Sequence, residues 1–231
     1  AKVDRESRVR HGILIMERLR RHLFIALLTL ILFAIAAVSG PVSGIEDRFS
    51  IVSAWLCLVL LAYTLLIGPA QAIKTGRPLD NLYIRRDLGI WSALIGLAHF
   101  ILANELSMNS AYIDFYVNQA SLPPAVELRS QLYSWGAILG YIIAVLFILL
   151  LSLSSDLAIR LIGIRWWKRL QRSAYLAFTF TVIHGFAFQI LESRMALLVG
   201  LLVLITLVTL GSHAWGIVKI KKHRTSTRSR A

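Results

Sequence analysis

Six apolar runs, each close to the length of a membrane-crossing helix, constrain this chain more than anything else in it. They lie at residues 23–42, 51–73, 88–103, 132–153, 174–191 and 196–218. About 20 apolar residues, rising about 1.5 Å each, cross a hydrocarbon core of about 30 Å. Backbone in hydrocarbon must satisfy its own polar groups, so each run is expected to be a helix. The predicted fold is an all-α integral membrane protein, a six-transmembrane-helix bundle over residues 23–218. A basic amphipathic juxtamembrane segment, residues 1–22, precedes it, and a basic tail, residues 219–231, follows.

Breaks in the pattern agree with this division. Gly40, Pro41 and Gly44 end the first run, and Gly68 and Pro69 weaken the end of the second. Ala34 to Ala36 resembles a signal-peptide cleavage site, but the segment is read as a retained signal-anchor helix. The fourth run carries GAILG at residues 136–140, a small-xxx-small spacing that lets another helix approach closely.

Charge sorts the loops. The formal charge is +13, yet the basic residues flank apolar spans instead of forming a groove-lining patch, so nucleic acid is not the expected partner. Lys and Arg concentrate in residues 1–22, 74–86, 160–172 and beyond 218, and only Arg48, Arg129 and Arg194 lie in the alternate loops. That asymmetry places both termini on the cytoplasmic side and requires an even number of spans. The long outward stretch at residues 104–131, with Tyr112, Phe115, Tyr116 and the Pro123-Pro124 break, is the expected docking surface for a partner.

The chemistry of the spans rests on histidine. Asp87, Asp156 and Glu192 stand at span ends, which argues against a proton pump or ion-coupled transporter, whose membrane carboxylates sit inside. Paired, Gly/Pro-broken short segments of the kind found in transporters are also missing. Cys57 is a lone thiol in an apolar run, with no internal disulfide to form. His99 lies thirteen residues past Arg86 and His184 twelve past Arg172 on another outward-running span. Both are therefore about 18–20 Å from the cytoplasmic interface, in the outer half of the bilayer.

Two imidazoles at one depth on two helices suit axial ligation of a haem. Gly96, one turn before His99, and Gly185, beside His184, are expected to leave room for a flat cofactor. The alternative is that each histidine hydrogen-bonds a neighbouring helix and only packs. A histidine-only zinc or copper site lacks a third ligand at that depth.

RRDLGIWSALIGLAHF at residues 85–100, with LSLSSDLAIRLIGIRWWKRLQRSAYLAFTFTVIH at residues 151–184, resembles the ferric reductase-like transmembrane domain family. Within it the likeness is nearest to the haem-binding membrane subunits of bacterial periplasmic methionine sulfoxide reductase systems, over residues 76–188. The arginine pair, the LG step, the RWWKRL turn and both terminal histidines occur in the family's order. The resemblance implies six helices in the bacterial inner membrane, and His99 and His184 as axial ligands of an outer haem b. The family's inner ligand falls at Gln171 here, and glutamine is not a usual axial ligand, so one outer haem and a vacant inner site are expected. His213, with His22, is the remaining candidate for an inner site.

The expected function is thus a b-type cytochrome subunit passing electrons to or from a periplasmic or membrane redox partner. It would be an electron-transfer subunit and not a complete oxidoreductase, because no GxGxxG loop follows the last span. A reduced flavin, a quinol of the membrane quinone pool or another protein would be the electron donor. The competing reading is a structural or assembly subunit of a larger membrane complex, derived from the same fold with its haem function reduced or lost.

Overall fold

A computed structural model describes residues 2–39, 44–76, 83–109, 124–191 and 196–228. Among these residues the protein is all-helical. The helices are α1 (Lys2–Val38), α2 (Ile45–Thr75), α3 (Tyr83–Asn109), α4 (Pro124–Ser152), α5 (Asp156–Leu170), α6 (Ser173–Leu191) and α7 (Ala196–Arg228). Six of them, all but α5, are long and apolar enough to cross a membrane, and they correspond one for one to the six apolar runs.

The core sits around α2, which packs against α1, α3, α6 and α7. Leu56, Leu60, Leu61 and Leu65 of α2 meet Ala93 of α3 and Ala177 and Phe178 of α6 in one buried cluster. The other spans turn large apolar side chains outward: Phe24 and Leu30 on α1, Val145 on α4, Leu204 and Leu207 on α7. A surface of that kind is stable against lipid and not against water.

Helix ends follow local chemistry. From Lys2 the basic segment at residues 1–22 runs without a break into the first span, as α1. Pro69 lies inside α2, which continues to Thr75 and stops at Gly76. Gly76 holds φ at 67°, the left-handed conformation that glycine reaches without a Cβ clash. Gly216 of α7 faces Pro69, where an added Cβ would stand 3.2 Å from the proline Cα.

The outward stretch at 104–131 is helical at both ends, because α3 extends to Asn109 and α4 begins at Pro124, a residue suited to the first turn. Tyr112, Phe115, Tyr116 and Pro123 lie outside the described residues.

The short helix α5 links α4 to α6. Ser155 caps it by accepting from the Ala158 amide, and Gly163, at φ 75°, kinks it. Trp167 is buried and donates from its indole to the Leu153 carbonyl at 2.8 Å, while Trp166 points outward beneath Arg169. Arg86 of α3 donates to Asp156 at the start of α5 and holds that carboxyl below its ordinary range.

Candidate functional site: a histidine pair on a shared cavity

His99 on α3 and His184 on α6 meet across the bundle. Their ring centroids are 6.4 Å apart and their planes stand at 84°. His184 Nδ1 lies 2.8 Å from the Gly136 carbonyl of α4, and His99 Nδ1 lies 3.0 Å from the Ser50 carbonyl of α2. A carbonyl can only accept, so both Nδ1 atoms carry the proton and both lone pairs lie on Nε2. A metal-bound histidine shows the same arrangement, with the second nitrogen held by a carbonyl and the first left basic.

The spacing suits a shared metal. One nitrogen from each ring bonded at about 2 Å on opposite sides of an ion sets the ring centres about 6 Å apart. Both rings line one cavity, which opens at a mouth and encloses about 140 Å³. Its walls are mainly apolar, with Phe100, Phe147, Phe188 and Trp55 among them. The donor set, the ring spacing and the apolar walls fit a haem held by two histidines.

Glycines set this geometry, in a way the sequence reading only partly anticipated. The GAILG segment was expected to aid bundle packing; in the structure it seats His184. A Cβ on Gly140 would lie 3.3 Å from His184 Cε1, and one on Gly136 would lie 2.8 Å from the Phe188 ring. Gly96 and Gly185 both line the cavity, but their missing side chains make room for protein. A Cβ on Gly96 would overlap the Phe147 ring and stand 2.9 Å from the Cys57 sulfur, and one on Gly185 would touch Leu202 at 3.4 Å.

Gly140→Leu should accordingly displace the His184 ring and destabilise the protein by about 1–3 kcal/mol, the usual effect of overpacking. Gly200→Leu, at a position with nothing within 4 Å, should change the melting temperature in detergent by much less. Equal shifts for the two variants would show that α4 does not seat the ring.

The other histidines have different surroundings. His22 Nδ1 accepts from the Trp91 indole at 2.9 Å, and His22 Nε2 faces Asp87 at 3.5 Å. His213 stacks edge-on against Tyr175 at 5.2 Å, with its Nε2 buried and unbonded. No hydrogen bond or ring contact joins His22 to His213 among the described residues. Gln171 ends α5, where its main-chain N–H donates to the Trp167 carbonyl at 2.9 Å. No group of three metal-ligating side chains occurs among the described residues.

Three features here were not read from the sequence. Ser50 and Ser53 of α2 surround His99 Nδ1, with both hydroxyls 3.4 Å away. Asp87, fully buried, is gripped by Arg18 and Arg21 of α1. Gln189, five residues past His184, is buried and lines the cavity. A carboxylate directly after an arginine pair, and an amide one turn beyond a span histidine, were the signals available. No protein-family model, curated protein or solved structure matches this chain.

Proposed function

We propose that the chain is a b-type cytochrome subunit of a bacterial inner membrane, holding one haem between His99 and His184 in the outer half of the bilayer. The observation that carries this reading is the pair of imidazoles on one cavity, each with Nδ1–H committed to a main-chain carbonyl. The positive-inside distribution of Lys and Arg supports cytoplasmic termini and hence an outward-lying histidine pair. The ferric reductase-like resemblance of residues 85–100 and 151–184 agrees with it.

Bound there, a haem supplies one-electron transfer between partners. The protein's part is to keep the ligands in place and the site dry. The Gly136 and Ser50 carbonyls hold the two rings in one tautomer and raise the basicity of Nε2. Phe147, Phe188 and Leu202 give the cavity apolar walls. The partner is a periplasmic or membrane redox protein approaching the cavity end of the bundle near residues 104–131, and a quinol, oxidised to the quinone, or a reduced flavin is the donor class.

The test is pigment analysis of the purified full chain. The expected result is one haem b per chain, with a reduced-minus-oxidised spectrum of low-spin, bis-histidine type. Protein expressed in haem-replete cells and purified without haem would overturn the proposal and leave the structural-subunit reading.

A further inference from the structure

The two site histidines are held alike but not equally. Each gives its Nδ1–H to a helix carbonyl, His184 to that of Gly136 at 2.8 Å and His99 to that of Ser50 at 3.0 Å. Both carbonyls lie inside helices, α4 and α2, so each also accepts from the main-chain N–H four residues on. A carbonyl oxygen has two lone pairs, and at Gly136 these two donors fill them.

At Ser50 there is a third donor. The hydroxyl of Ser53, a side chain with no solvent exposure, donates to the same carbonyl at 2.9 Å. It lies 3.4 Å from His99 Nδ1, too far to accept strongly from it. Gly136 has no counterpart, because the residues three and four places on are Leu139 and Gly140, neither with a polar side chain. A serine bonded back to its own helix is common and carries no function by itself. Here the carbonyl it occupies is the one that orients a candidate ligand. Three donors on two lone pairs weaken each bond, and the hydrogen bond at Nδ1 governs how much electron density Nε2 can give to a metal.

We propose that Ser53 is a positioning residue that makes His99 the weaker electron donor of the histidine pair, by competing for the Ser50 carbonyl. The asymmetry in hydrogen bonding stands on these contacts alone, and its redox consequence rests on the haem reading. A less electron-rich ligand stabilises ferric iron less. Ser53 therefore holds the potential of a haem at this site above the value that two equally bonded histidines would set.

The first measurement uses the full chain in detergent, free of haem and carrying isotope-labelled histidine. The Nδ1–H resonances are assigned by their loss in His99→Ala and His184→Ala. Ser53→Ala should move the His99 resonance downfield, as its hydrogen bond strengthens, and leave that of His184 in place. In wild type, deuterium should be disfavoured more at His184 Nδ1 than at His99 Nδ1, the mark of the stronger bond. The second measurement is the reduction potential of the haem-loaded protein. Ser53→Ala should shift the equilibrium about twofold to tenfold toward oxidised haem, the range of one net hydrogen bond, which is about 20–60 mV more negative at about 59 mV per tenfold. Ser92→Ala is the control, since it removes a buried hydroxyl from the Cys57 carbonyl, which neither histidine uses, and should leave the potential unchanged.

An unmoved His99 resonance in folded Ser53→Ala protein overturns the inference. Equal or stronger bonding at His99 in wild type does so as well, and requires no variant to fold. A potential that stays put or rises in Ser53→Ala, or falls as far in Ser92→Ala, also overturns it and leaves the haem reading standing. Absence of haem from wild type overturns the haem reading, while the resonances still decide the asymmetry between the two histidines.

Discussion

On the proposed haem ligation, replacing either His99 or His184 with alanine should abolish the bis-histidine haem spectrum of the purified protein and leave a folded bundle. The magnitude follows from ligation. Removing only the group that hydrogen-bonds a ligating histidine lowers metal affinity by about 10–100-fold, so removing the ligand itself should exceed about 100-fold. The fold survives because the ring contact contributes little to a core built on α2 leucines packed against α3 and α6. His22→Ala and His213→Ala are the controls. Both residues lie off the cavity, and neither change should alter the spectrum. Absorption spectra, size-exclusion profiles and melting temperatures of the four variants decide the matter. A full spectrum in both His99→Ala and His184→Ala would remove the haem from this cavity.

The second large effect concerns stability. Arg18 and Arg21 reach from α1 to Asp87 at the start of α3, each donating from Nε and Nη2 to one carboxylate oxygen at 2.8–3.2 Å. Asp87 has no solvent exposure, while the arginine side chains keep 30% and 27%. The carboxylate is therefore the partner that cannot be rehydrated. Arg18→Ala with Arg21→Ala strands it beside His22 alone and should destabilise the protein by about 3–5 kcal/mol. Adding Asp87→Leu removes the stranded charge and should restore more than half of that loss. Thermal unfolding in detergent measures all three proteins. A loss that deepens with Asp87→Leu would mean the contact holds α1 by packing and not by charge.

This clamp also explains why α1 is a single helix. The sequence reading set residues 1–22 apart as a basic amphipathic juxtamembrane segment. In the structure the segment runs on into the span, and Arg18 and Arg21 face a buried carboxylate. The partner is 66 residues away from Arg21 in the chain. Local periodicity carries no information about a contact at that distance.

What the sequence determined by itself is what depends on local composition and on the fixed rise of a helix. The six spans follow from apolar runs, and the equal depth of His99 and His184 follows from counting residues from two arginines at about 1.5 Å each. Rotation about each helix axis and the approach of neighbouring helices were decided only in three dimensions. They give His184 the Gly136 carbonyl, fill the space beside Gly96 with Phe147, and leave Gln189 Oε1 buried without a partner among the described residues while the Asn104 amide bonds Phe100 and Tyr141. Each depends on which side chain from a distant segment occupies the same few ångströms, and tertiary packing alone sets that.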